Sequence, residues 1–455
     1  MTGKEDPVHI LPAKPSLEQL RKRAKELARA ESVKLSEAQF RLARQHGFPS
    51  WPKLQAYVRR IAEHGDGLQH AYHQDTAYYA DRADGLLASA LDETPGTHEH
   101  FDRWYQPLTP EGARTVVARQ HGFASWRALR DHVRTLADSG EPFARAYRLV
   151  EAHDVDGLAE LVRRFPWLVH AAGTNGNDLL GMAGATGDER LTRVLLDHGA
   201  DPARPNAHGW TPLHQAAYGN LPLLLDMLLE AGAPTDVSAR GDGGTPLVVA
   251  LFWGHREAAE KLAIHDLTPA NLRVAAGLGR ADLLDELLTP DGTLSPAAGA
   301  RRAFYRPHSG FPRWRPSGDP AEIRDEALSW AARNDRVDTL RTLVERGAVP
   351  DADVYRGTAL AWAAAQGKAA ATRALLDLGA EVDQRGTFGG PGHGVGVTAL
   401  HLAAQGGHVG VITALLDAGA DPSARDALYD STPEGWADHC GQPAAREVLR
   451  GLARH

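Results

Sequence analysis

Two stretches of the sequence concentrate the side chains that could do chemistry. The first, roughly Asp291 to Pro320, carries Arg301, Arg302, Phe304, Tyr305, Arg306, His308, Phe311, Arg313, Trp314 and Arg315. Arginines among aromatic rings are the types enriched where proteins recognise one another, and a long loop without regular structure tends to be functional or disordered. The second is Gly386 to Gly396, whose glycines alternate around His393. Acid–base catalysis, if the chain has any, belongs where Tyr305, His308, Arg313 and His393 converge over Trp330 and Trp362. The same set, with Trp314, Arg315, Trp253 and Tyr218, is the candidate ligand- or partner-binding site.

Other reactive patterns are weaker. Gly390, Gly392, Gly394 and Gly396 superficially resemble a phosphate-cradling loop, but no strand precedes them and no lysine follows at the needed spacing; an enlarged hairpin tip is the plainer reading. His98, Glu99, His100 and Asp102 are potential metal ligands at close spacing, yet they lack both a helical i, i+4 histidine pair and cysteine partners. There is no Gly-x-Ser-x-Gly elbow. The single cysteine, Cys440, can neither form an internal disulfide nor build a thiolate cluster. No catalytic residue, metal or cofactor is expected.

The elements that must position these residues form a repeat. A threonine-led template, Thr-Pro-Leu-His, two small residues, Gly, a Leu-Leu pair and Gly-Ala-Asp, has its first position at Arg145, Asp178, Thr211, Thr245, Ala270, Glu326, Thr358, Thr398 and Thr432. The intervals are 33, 33, 34, 25, 56, 32, 40 and 34 residues. Threonine can cap a helix by accepting a backbone N–H, and Pro212, Pro246 and Pro433 stand where no amide donor is needed. Ala216 and Ala217, or Ala403 and Ala404, are small enough for neighbouring helices to approach. Gly187, Gly254, Gly367, Gly407 and Gly441 suit the left-handed residue that ends a helix, a place Asn220 takes in another unit. Leucine pairs such as Leu228-Leu229 and Leu415-Leu416 supply the apolar stripe of a second helix.

This template resembles the ankyrin-repeat family over residues of about 145 to 455. The resemblance implies an all-α solenoid of about nine helix pairs, with a concave surface that recognises partners, usually proteins, without intrinsic catalysis. It also assigns His214 and His401 to hydrogen bonds between adjacent loops. The unit at Ala270 starts early, so its projecting hairpin is expected to be missing and the stack to kink. Four positions after each leading residue stand Met182, Gln215, Val249, Val274, Trp330, Trp362, Leu402 and Trp436, either packing between repeats or forming an aromatic binding groove continued by Tyr218, Phe252 and Trp253.

Before the repeats, residues 43–58 and 118–133 duplicate one another around Gln-His-Gly-Phe and Ser-Trp. Each reads as helix, glycine stop, serine cap and helix, and the region resembles the leader of some bacterial ankyrin-repeat proteins. The expected domains are a helical N-terminal domain at 1–140, a first repeat block at 141–290, the insertion at 291–320 and a second block at 321–455. Between Lys14 and Ile61 there are 12 Lys+Arg against 4 Asp+Glu, a local +8 within a chain of net −8. That basic head raises nucleic-acid binding as the third reading. A protein partner is the first, and a small-molecule site or enzyme built from the two insertions is the second. Arginine-rich, Ala- and Gly-rich usage hints at a GC-rich bacterial genome. No stretch approaches the roughly 20 apolar residues of a membrane span, the start is too polar for a signal peptide, and a cytoplasmic monomer is expected.

Overall fold

The computed structural model describes residues 9–64, 67–136, 140–304, 314–386 and 396–452. Among them the chain is all-helical, with isolated bridges in place of strands. It divides into two compact units, Met1–Gln215 with Asp226–Ala233, and Ala216–Leu225 with Pro234–His455.

The first unit holds both duplicated helix pairs, Leu35–Gln45 with Trp51–His64 and Pro110–Gln120 with Trp126–Val133. Gly47 and Gly122 are left-handed between them, and the Ser125 hydroxyl accepts from Ala128 N, capping the last helix. Leu54, Val58, Val117, Leu129 and Val133 meet in one core, which also takes in Ala207 from a repeat hairpin. A further helix of this unit, Thr76–Leu91, rests on the hairpins of the first repeats: Ser89 Oγ lies 2.8 Å from His208 Nδ1, and the Asn175 side-chain amide donates to the Arg82 carbonyl at 2.9 Å. Arg60, on the basic face considered for nucleic acid, donates to the Arg103 carbonyl at 2.8 Å and lies over the Tyr105 ring.

Within the first unit, His121 joins the Pro110–Gln120 helix pair to the turn at Thr174. Its ring is fully buried, with Nδ1 2.8 Å from the Val117 carbonyl and Nε2 3.0 Å from Thr174 Oγ1. Burial pushes its pKa down to about 4, against a smaller upward pull from the Val117 carbonyl. A histidine depressed in the folded state is protonated first in the unfolded chain, so stability is intact above pH 6.5 and is lost as pH falls toward 4. The whole effect is limited to about 3 kcal/mol. Wild type is expected to lose stability against His121→Gln across that window in thermal melts at pH 7 and pH 4.5; parallel profiles would refute it. Asp178 works the other way, because burial pushes its carboxyl up to about 6, so the total pH profile of this unit is flatter than His121 alone dictates.

In the second unit, helix pairs follow the template: Pro246–Phe252 with Arg256–His265, Leu272–Leu278 with Ala281–Leu287, Pro320–Arg333 with Val337–Glu345, Ala359–Ala365 with Ala369–Asp377, Ala399–Gln405 with Val409–Asp417, and Pro433–His439 with Pro443–Leu452. The Thr245, Thr358 and Thr432 hydroxyls accept from the amide three residues on. Gly367 at φ 69° and Asn220 at φ 51° share the predicted left-handed position. Thr398 Oγ1 lies 2.9 Å from His401 Nδ1, while His401 Nε2 reaches the Ser431 carbonyl of the next loop at 3.1 Å, the loop-to-loop bond that the resemblance implied. One continuous core of leucines and alanines runs from Leu272 to Leu449.

Three helix starts differ from the aligned leading residues. Arg145 lies inside Pro142–Glu151, which Glu141 caps. Asn271, not Ala270, accepts from Val274 N. Glu326 is mid-helix, because Asp319 and Pro320 supply a cap and a first-turn proline seven residues earlier, giving 14 residues against 7 in Pro246–Phe252. The missing hairpin is seen: only Asp266 to Asn271 separates His265 from Leu272.

Candidate functional site

The ends of the 291–320 insertion sit on a buried ionic cluster. Glu326, in the added turns of Pro320–Arg333, takes Arg273 on one carboxylate oxygen at 3.0 Å and Arg302 of the insertion on the other. All three side chains are at most 3% exposed. Arg273 also donates to the Arg302 carbonyl at 3.1 Å, and Arg302 donates to the Ser317 carbonyl. One carboxylate therefore ties together the repeat before the insertion, its entry and its exit. Burial lowers the Arg273 pKa, with Glu326 pulling it back up; an arginine begins so high that it stays protonated.

The entry segment is also fastened to the hairpin before Thr245. Arg301 pairs with Asp242 at 2.9 Å and donates to Ser238 Oγ at 3.1 Å, while Ala303 N reaches the Asp242 carbonyl. Gly243, at φ +82°, is the point of close approach, where a Cβ would collide with the Arg301 carbonyl oxygen. Gly243→Ala is expected to cost about 1–3 kcal/mol locally, from backbone strain and displaced backbone. Faster amide exchange at 301–304 with the later repeats unchanged would show it; unchanged exchange at 301–304 would contradict it.

Aromatic rings fill the space beneath. The Phe252 ring lies 5.7 Å from Phe304, 6.1 Å from Trp330 and 5.6 Å from Trp362. Trp314 packs on Tyr355 at 5.5 Å, and Trp362 Nε1 donates to the Tyr355 carbonyl at 3.0 Å. The Arg333 guanidinium sits 3.5 Å from the Trp362 ring centre and 4.6 Å from that of Phe252, with one bond to the Phe252 carbonyl at 3.4 Å. Burial holds Arg333 well below the ordinary arginine value.

Six sequence candidates can thus be placed. Trp314 is half-buried and Arg315 exposed at the exit of the insertion. Tyr218 and Trp253 form an edge-on pair at 5.5 Å, with Tyr218 42% exposed. Trp330 and Trp362 are 0% and 1% exposed, so neither presents a face to a partner; they pack between repeats. The physical reason is the short unit, which lets Pro246–Phe252 reach both Leu272–Leu278 and Pro320–Arg333 and lay Phe252 over both rings. Tyr305, His308, Arg313 and His393 fall outside the described residues. The second insertion leaves and re-enters through a bridge between Gly386 and Val397, and Arg385 fastens it to the Gly396 and Arg425 carbonyls.

Sequence reasoning missed Arg273, Glu326 and Arg333. The available signal was a charge where several other units carry an uncharged residue: Glu326 stands in the leading position that Thr211, Thr245, Thr358, Thr398 and Thr432 hold, and Arg333 where Tyr218 and Phe252 stand. Elsewhere, His98 Nε2 lies 2.8 Å from the Ala90 carbonyl and His100 Nδ1 2.9 Å from Gln120 Nε2, and no group of three potential metal ligands occurs among the described residues.

The sequence profile described as ankyrin repeats (3 copies) matches residues 179–272, 272–386 and 328–426. Among curated relatives, protein fem-1 homolog A of Rattus norvegicus is 47% identical over 49 residues, 11% of this chain and 8% of that protein. The inactive serine/threonine-protein kinase TEX14 of Bos taurus is 30% identical over 128 residues, 28% of this chain and 8% of that protein. The chain therefore spans under a tenth of the length of these relatives. Of solved structures, the human ASB11 ankyrin repeat domain aligns with a TM-score of 0.31 and 23% identity, covering 61% of this chain and 98% of that one.

Proposed function

The chain belongs to the ankyrin-repeat family, whose repeats generally serve protein–protein interaction, and from that premise we propose that it is a non-catalytic scaffold that binds a protein partner through the 291–320 insertion and the adjoining repeat surface. The observation that carries the reading is the Glu326 clamp, with Arg302 and Arg273 bound to one buried carboxylate. A loop whose two ends are fixed in advance loses less conformational entropy on binding. The partner surface would offer carboxylates to Arg315 and Arg313 and an apolar side chain to Trp314, with Tyr305 and His308 from the tip, His393 from the second insertion, and Tyr218 and Trp253 at the rim. No helix among the described residues is long and apolar enough to cross a membrane; that the partner is met in the cytoplasm is part of the proposal.

The test replaces residues 305–313 by a Gly–Ser linker of the same length, leaving Arg302 and Ser317 in place. Affinity capture from the native cell, quantified beside wild type, should lose specific partners while the melting temperature holds. A Tyr218→Ala/Trp253→Ala variant should weaken the same partners. An unchanged partner list with both variants would sink the proposal.

A further inference from the structure

A cavity of about 400 Å³ lies in the first unit, among the segments at 10–13 and 68–71, the turn from His121 to Phe123, His132, Glu141 and Trp167. Its volume falls in the range of small-molecule sites. Ile10, Leu11, Pro12, Leu68, Phe123 and Trp167 give it apolar walls, and Ile10 and Trp167 are 50% and 42% exposed. The lining holds neither Lys nor Arg and one carboxylate, Glu141. Burial holds His132 below the ordinary histidine value, against an upward pull from Glu141, so it adds no cation at neutral pH.

The polar feature of the wall is His70. Three backbone bonds fix its segment: Leu68 N donates to the Ala13 carbonyl at 2.7 Å, Gln69 N to that of Gln120 at 2.9 Å, and His70 N to that of Ala172 at 2.7 Å. The imidazole lies 5.2 Å from the Phe143 ring at 22° and 5.3 Å from the Trp167 ring at 31°. Phe143 and Trp167 make no ring contact with each other, so they take opposite faces. Its Nδ1 lies 3.2 Å from Glu141 Oε1, while Glu141 Oε2 accepts from Ala144 N at 2.8 Å. An ionised carboxylate only accepts, so the tautomer it selects carries the proton on Nδ1 and keeps the lone pair on Nε2. With both faces covered and Nδ1 taken, the 19% of the side chain that stays exposed belongs to the Nε2 edge. Nε2 bonds no described residue and is not one of the polar atoms that packing seals from solvent. An oriented acceptor is therefore open in an otherwise apolar wall.

We propose that this cavity binds a small neutral aromatic molecule bearing one N–H or O–H, of the indole or phenol class. Its ring packs against Trp167 and the aliphatic walls, and its N–H or O–H donates to His70 Nε2. An anion would meet the Glu141 carboxylate with no lysine or arginine to offset it. The site is separate from the insertion and does not depend on the scaffold reading.

The full chain is titrated by calorimetry at neutral pH with indole, 1-methylindole, phenol, anisole and benzoate. One saturable site for indole or phenol is expected. The methylated counterpart of each should bind roughly tenfold more weakly or worse, because it leaves the acceptor unpaired, and benzoate should bind more weakly than phenol. His70→Phe keeps a ring between Phe143 and Trp167 and removes the acceptor, so indole and 1-methylindole should bind it alike. Trp167→Ala should weaken indole by roughly three- to tenfold. No saturable heat with either indole or phenol, equal affinity of the wild type for indole and 1-methylindole, or full discrimination retained in His70→Phe would each overturn the proposal. Should His70→Phe fail to fold, the wild-type ligand pairs decide by themselves.

Discussion

Glu326→Ala is expected to cost about 3–5 kcal/mol, the range for leaving buried charges without their partner. The carboxylate is 2% exposed and answers two guanidiniums, those of Arg273 and Arg302, so its removal strands two buried cations. A repeat array need not melt in one step, so local opening is the better measure than one melting temperature. Amide exchange within Pro320–Arg333 should accelerate by roughly two to three orders of magnitude. Replacing the whole triad, Glu326→Leu with Arg273→Met and Arg302→Met, should return most of the lost protection, because apolar side chains of similar size remove the desolvation cost along with the attraction. The insertion should nevertheless loosen, since Arg273 no longer reaches the Arg302 carbonyl nor Arg302 that of Ser317. Wild-type exchange in Glu326→Ala would show that the clamp is not what fixes the insertion.

The repeat was legible because its determinants are local. Thr245, Thr358 and Thr432 cap helices through the amide three residues on, and the left-handed Gly367 and Asn220 close them; such signals lie within one turn of chain. The cluster was not legible, because Arg273 meets Arg302 at 29 residues' remove and Glu326 at 53. Helical periodicity identified the face that carries Trp330 and Trp362. It could not tell whether that face stays open, since Phe252 covers it only after the shortened unit brings two non-consecutive first helices together. The same holds in the first unit, where Gln69 and Asn175 bond across 106 residues.

Arg333 is expected to behave in the opposite sense to Arg273, although both guanidiniums are buried. Arg273 has Glu326 at 3.0 Å. Arg333 forms no ion pair among the described residues, and its Nε has no hydrogen-bond partner there. Its compensation is the faces of Trp362 and Phe252 and one carbonyl bond. A desolvated cation–π contact contributes about 2 kcal/mol, whereas desolvating the ion costs several kcal/mol. Arg333→Met, which keeps length and removes charge, should therefore raise stability by roughly 1–2 kcal/mol. Trp362→Ala should lower it by about 3–5 kcal/mol, as for any fully buried large ring, and by more when the stranded guanidinium remains than in the Arg333→Met background. The difference between those two backgrounds, read from denaturant titrations of the double-mutant cycle, isolates the ring–cation coupling. A loss above about 1 kcal/mol for Arg333→Met would mean that the rings more than offset desolvation, and that this buried charge stabilises the fold.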